Sequence, residues 1–307
     1  MEKWNDGIMK YIIKFILSGV MIIMLMACEK TMFIDLPDEE HKIVMNGLLT
    51  PDYGLWLNVS RSVSSSEPSA TSFKPVTGAI IRYYQNDNFI TSLINSNERG
   101  DYFETDFRPQ PGHTYKITVD TYGMPQAGVV VTIPYPVNII GFDTTIVKNR
   151  QWDGYRYYNE VEFFVNLRIR DPEITSNHYM LGLYYLENNN YQPLEAYTED
   201  INMNIHIQDG LNILAWNDQN LNGQLMEFMV NFQLVQDAGF ETEFVITLYS
   251  IEEDYFKYLK SYSQNFTILN DDTLLFEPVL VSSNIINGYG IVAAFSSHSV
   301  SFRYTFY

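Results

Sequence analysis

The stretch Ile251-Glu252-Glu253-Asp254-Tyr255-Phe256-Lys257-Tyr258-Leu259-Lys260-Ser261-Tyr262 decides how the rest of the chain is read. Tyr255, Tyr258, Leu259, Tyr262 and Phe266 recur three and four residues apart, which places them on one face of a helix, with Lys257, Lys260 and Gln264 away from it. The acids Glu252, Glu253 and Asp254 fall in the first turn, where the helix dipole favours negative charge. The spacing therefore predicts a helix near residues 252–266, and no other stretch reads as one. A single helix with an aromatic face, in a chain otherwise made of strands, needs a sheet to cover. Asn287-Gly288 then signals a turn, Gly288 and Gly290 admit backbone shapes that other residues resist, and Ala293-Ala294 suits a strand packed under a bulkier layer. Helix, turn and strand read as the closing unit of a β domain.

Upstream, period-two alternation dominates. Ile43, Met45, Gly47 and Leu49 alternate with Val44, Asn46 and Leu48. After Thr50-Pro51-Asp52-Tyr53-Gly54, Leu55, Leu57 and Val59 alternate with Trp56, Asn58 and Ser60. Pro111-Gly112 turns the chain into a strand with Tyr115, Ile117 and Val119 facing inward, and Val129, Val131 and Ile133 make a further strand. Residues 42–134 are thus similar to small exported sandwiches of the immunoglobulin-like or carboxypeptidase-regulatory-like kind. Pro134-Tyr135-Pro136 reads as a stiff linker, since both prolines bar sheet pairing. Beyond it, residues 137–307 carry long alternating strands (Val161 to Ile169, Met226 to Leu234, Phe244 to Leu248, Val300 to Phe306) and predict a larger antiparallel β-sandwich or open barrel holding the helix. The expected fold class is all-β with one helix in the C-terminal half, arranged as two β-sandwich domains. The strands are too short, and their polar loops too long, for a lipid-facing outer-membrane barrel.

The acidic-aromatic helix start, followed by Glu277-Pro278-Val279, Ser283-Asn284-Ile285 and Asn287-Gly288-Tyr289-Gly290-Ile291, resembles the C-terminal signature of a family of Bacteroidota outer-membrane lipoproteins, domain-of-unknown-function family 4249. The resemblance runs from Cys28 to the C-terminus. It implies a neighbouring TonB-dependent receptor as partner and a role in capturing or gating a nutrient. It brings no catalytic residue with it.

The N-terminal residues support export independently. Lys10 and Lys14 precede the apolar run Phe15 to Ala27, which is short for a membrane span and ends in Leu25-Met26-Ala27-Cys28. Glu2 and Asp6 fit the basic start of a leader badly, so Met1 and Met9 both stand as candidate starts. Residues 1–27 are read as a lipoprotein signal peptide and 28–41 as a tether. Cys28 is the only cysteine, so no intrachain disulfide exists to explain it, and lipidation does. A triacylated cysteine would anchor the chain stably. The expected location is the outer membrane, at the cell surface or on the periplasmic leaflet.

The net charge of −18 argues against nucleic acid, whose phosphates require a basic face. Asp218-Gln219-Asn220-Leu221-Asn222-Gly223 opens like a calcium loop, but position twelve is Met229 where a bidentate carboxylate is required, and a polar turn is the better reading. The five histidines have no metal-ligand spacing, and in Ser296-Ser297-His298-Ser299 neighbours along a strand point to opposite faces. No nucleophile elbow, P-loop or dinucleotide fingerprint is present. Carboxylates abound, at Glu252-Glu253-Asp254, Asp271-Asp272 and Glu199-Asp200, and are expected to be solvated. The expectation is a chain without catalytic residues, metal or cofactor. Trp152, Tyr155, Tyr157 and Tyr158, read as a loop cluster, are the candidate ligand- or partner-binding aromatics, and no ligand is specified. A non-catalytic accessory protein is therefore favoured over a surface-polymer hydrolase or a structural, adhesive lipoprotein.

Overall fold

A computed structural model describes residues 40–63, 74–94, 96–152, 154–155, 157–200, 203–206, 212–219, 221–236, 239–270 and 279–306. Along the first part of the chain run β1 (Ile43–Thr50), β2 (Gly54–Arg61), β3 (Lys74–Pro75), β4 (Ile80–Gln85), β5 (Asn88–Leu93), β6 (Asp101–Glu104), β7 (Thr114–Asp120) and β8 (Ala127–Thr132). The second part has β9 (Ile139–Trp152), β10 (Tyr157–Arg170), β11 (His178–Glu187), β12 (Asn190–Leu194), β13 (Asn204–His206), β14 (Asn212–Asn217), β15 (Leu225–Val235) and β16 (Glu241–Ile251). Helix α1 (Glu253–Asn270) and β17 (Gly288–Thr305) follow.

One ten-stranded sheet organises everything. Its main path is β13-β14-β11-β16-β17-β1-β2-β3, with β12 added to β11 and β6 to β2. A four-stranded sheet, β5-β4-β7-β8, and a three-stranded sheet, β15-β10-β9, complete the strands. Ile43, Met45, Leu49, Leu55, Leu57 and Val59 of the large sheet share one core with Tyr83, Tyr115, Ile117, Val119, Val129 and Val131. Phe163, Val165 and Leu167 of β10 and Val230 and Phe232 of β15 share the other with Tyr179, Phe244, Ile246 and Leu248. The inward residues expected from alternation are the buried ones, and the class is all-β sandwich with one helix among the described residues.

The sheet is joined at its centre by a pairing that period-two reading does not reveal. β1 lies parallel to the first half of β17, with Ile43 opposite Gly288 and Leu49 opposite Ala294. The second half of β17 runs antiparallel to β16, from Ile251 opposite Phe295 to Glu241 opposite Thr305. The segments around Ala293 and Val300, which read as separate strands, are one continuous strand, and the antiparallel expectation is corrected at the β1–β17 seam. Val292 and Ala294 of β17 face the first core, while Val300, Phe302 and Tyr304 pack on the second. Gly290 is required here: its φ is +105°, and a Cβ would stand 2.1 Å from the carbonyl oxygen of Met45.

Hydrogen bonds between distant segments cross the junction. The Thr132 amide donates to Glu252 Oε1 at 3.0 Å, the Val137 amide to Ser250 Oγ at 3.1 Å, and the Ile139 amide to His298 Nδ1 at 3.3 Å. Pro134-Tyr135-Pro136 is unpaired, as two prolines require, but its flanks are tied down.

Helix α1 lies on the outer face of the large sheet. Phe256 and Leu259 are its most buried apolar side chains, packed with Ile205, Ala215 and Ile251 and with the partly buried Met180, Tyr249 and Phe295. The covered face is rotated from the expected one: Phe256 replaces Tyr262 at its centre, while Tyr255, Tyr258 and Tyr262 stack along its flank. The side chain of Phe266 lies outside the described residues. Burial of Phe256 and Leu259 contributes roughly 1.5–3 kcal/mol each. Lys257 sits 2.9 Å from Glu253 one turn earlier, an exposed pair of small worth.

Candidate functional site

Strand alternation sends one set of side chains into the two cores and leaves the other on the outer face. α1 covers part of that outer face. Beside it the sheet is open, forming a groove of about 900 Å³.

The floor comes from β16 and β17. Thr247 and Ser299 are opposite each other, and their hydroxyls meet at 2.9 Å. Ser297, next on the same face, donates to Asp52 Oδ2 at 2.8 Å. That bond pins the β1–β2 turn over the sheet, and Arg108 Nη1 donates to the Asp52 carbonyl from the other side at 2.9 Å.

The walls are aromatic. On one side Tyr184 and Tyr249 join hydroxyls at 2.8 Å, and Phe295 meets Tyr249 edge-on with centroids 5.4 Å apart. The tyrosine pair fits because β11 has Gly182 there: a Cβ would come within 2.8 Å of the Tyr184 hydroxyl and 2.9 Å of the Tyr249 ring. Burial, and then the hydrogen bond to Tyr184, pushes the Tyr249 hydroxyl far above the usual tyrosine range. Burial likewise raises Tyr255 on the adjacent flank of α1 to about 12. Both rings are neutral at any physiological pH. The opposite wall is a row across three strands, Leu48 beside Trp56 beside Phe103. Tyr53, Phe103 and Tyr191 are 78%, 57% and 56% exposed at the rim. Such a groove can cover flat, partly apolar ligand surfaces and hydrogen-bond their polar edges.

A second cleft, of about 720 Å³, lies at the junction beside Glu252, His178 and Ile174. Burial raises the Glu252 carboxyl to about 7, against the lowering effect of the Thr132 amide. Its Oε1 is occupied by that amide and its Oε2 is enclosed without a partner among the described residues, so Glu252 reads as a junction residue. Glu253 and Asp254 face solvent and Lys257.

The residues singled out in the sequence are dispersed. Cys28 and Asp271-Asp272 lie outside the described residues. Trp152, Tyr157 and Tyr158 are not in a loop. Tyr157 pairs with Trp152 and Tyr158 with Gln151, since the β9–β10 ladder runs on to the tip of the hairpin. Tyr155 is at the tip, 94% exposed. Tyr155 is not among the residues lining the groove, and the side chains of Trp152, Tyr157 and Tyr158 lie outside the described residues.

The described part of the calcium-like turn is tied to neighbouring segments. Asp218 accepts from the Asn177 amide at 2.8 Å, and the buried Asp171 accepts from Gly223 N at 2.8 Å and from the Tyr179 hydroxyl. Among the described residues no three His, Cys, Asp or Glu side chains are grouped to hold a metal. His298 and Ser297 face opposite sides of β17, as strand geometry requires.

Local patterning does not reveal the groove, because its aromatics come singly from β2, β6, β11, β12, β16, β17 and the β1–β2 turn. The one available signal is that Trp56 falls on the face opposite Leu55, Leu57 and Val59.

Comparison with known families adds one finding. The family described as a domain of unknown function, DUF4249, matches residues 29–301. The chain belongs to that family. No curated protein matches this family member. No helix among its described residues is long and apolar enough to cross a membrane, which leaves strands unaddressed.

Proposed function

We propose that the protein is a non-catalytic binding protein, anchored by lipid at Cys28 to the outer membrane on the cell surface, which presents a nutrient to a TonB-dependent receptor. The single observation that carries the binding reading is the groove, where exposed aromatic rings border a floor of hydroxyls with one carboxylate. The rings of Tyr53, Phe103 and Tyr191 are left wet without a structural need, which is the usual mark of a surface that meets another molecule. Anchoring rests on the basic start, the short apolar run and the single cysteine that follows it. The receptor as partner rests on the family resemblance.

Two measurements test this. Cys28→Ala should move the protein from the membrane to the soluble fraction, and unchanged fractionation sinks the anchor. Affinity purification of the full chain from detergent-solubilised membranes should recover a TonB-dependent receptor, and recovery of none removes the accessory role.

A further inference from the structure

The chemistry of the groove narrows its occupant, given the binding reading above. Its walls offer ring faces, which pack against flat C–H surfaces. Its floor offers the hydroxyls of Thr247, Ser297 and Ser299, each with one donor and two acceptor sites, only some of them used by the Thr247–Ser299 and Ser297–Asp52 bonds. A lipid chain would cover the rings but strip water from the hydroxyls and Asp52 with nothing in return. An anionic metabolite would meet the negative ring faces and Asp52, and a small cation, though drawn to both, would leave most of a groove this long empty.

A sugar ring satisfies both halves, with an apolar face for the aromatics and a hydroxyl edge for the floor. Charge selects further: among the described residues Asp52 is the only charged one lining the groove, in a chain of net charge −18, so anionic glycans are repelled. Length selects as well. Tyr184 on β11 and Trp56 on β2 are four strand spacings apart, which at about 4.8 Å each is roughly 19 Å, several rings and not one.

We infer that the groove binds a neutral oligosaccharide, its rings stacked on the Trp56–Phe103 row and on Tyr191, its hydroxyls bonded to Ser297, Ser299 and Asp52. The test uses the full chain in a detergent whose headgroup is not a sugar. It is applied to an array of neutral and anionic glycans, and the best-bound glycan is then titrated by calorimetry. Selective binding of neutral chains longer than a disaccharide is expected. Tyr191→Ala, at an exposed position, should weaken it about tenfold, as should Asp52→Asn combined with Ser297→Ala.

Tyr155→Ala, at the distant hairpin tip, serves as the control and should bind as the parent does. An array without neutral binders overturns the inference, as does a loss on Tyr155→Ala matched by none on Tyr191→Ala. Receptor co-purification persisting beside an empty array would overturn the saccharide alone. Saccharide binding without a receptor would overturn the accessory role alone.

Discussion

Replacing Glu252 by glutamine isolates one buried charge at the junction of the two cores. The carboxyl is raised from 4.5 to about 7, chiefly by burial, with Asp254 adding to the rise and the Thr132 amide opposing it. A folded-state value above the unfolded one means that the native protein binds this proton more tightly. Its stabilising effect is therefore complete below pH 4.5 and is lost as pH climbs to about 7. At 1.36 kcal/mol per pH unit, the gap between 4.5 and about 7 is about 3 kcal/mol.

Glutamine keeps a carbonyl oxygen for the Thr132 amide and has no charge to bury. The variant should match the parent at pH 4.5 and exceed it by up to about 3 kcal/mol at pH 8, roughly 6 °C in melting temperature for a chain of this size. Parallel melts at pH 4.5, 6 and 8 read the difference directly, because all other titrating groups are shared. A variant less stable than the parent at pH 8, or a difference that ignores pH, would refute the reasoning. It would mean that the ionised carboxylate on Thr132 stabilises the junction.

Three further substitutions probe the frame. Gly290→Val puts a side chain where φ is +105° and Met45 is in the way, and should cost at least about 3 kcal/mol by denaturant melting, with β1 losing protection from amide exchange. Asp171→Ala leaves the Tyr179 hydroxyl and the Gly223 amide unpaired, and should cost about 3 kcal/mol, whereas added calcium or chelator should leave the melting curve of the parent in place. Leu259→Asp forces a charge under α1 and should cost on the order of 4 kcal/mol. Retained stability would show that the helix is dispensable to the sheet.

Local patterning carried much of this fold, for a physical reason. In strands such as β7, β10 and β16 one face is wholly buried, so Tyr115-Ile117-Val119 alternate with Lys116 and Thr118, and Phe244-Ile246-Leu248 with Val245 and Thr247 of the groove face. The helix was visible from its acidic start, but its azimuth was not. Aromatic spacing alone could not tell that Phe256 packs on Ala215 and Ile251 while Tyr262 stays on the flank. The β1–β17 seam leaves no local trace, because parallel pairing between segments almost a chain length apart is encoded only in how β17 fits there, through Gly288 and Gly290. The groove was invisible for the same reason. Trp56, Phe103, Tyr184 and Tyr249 are far apart in sequence and become neighbours only once the sheet is assembled. The hairpin aromatics drew attention because they are clustered in sequence, which is a weaker criterion than clustering in space.

The doubly engaged β17 has a consequence for biosynthesis. β1 is made well before its parallel partner, so one side of an apolar strand stays uncovered until β17 has followed it. A chain stopped before Gly288 would lack both halves of β17 and open both interiors together. A chain stopped short of β17 is therefore expected to need holdase protection, because of where that one ribbon is threaded.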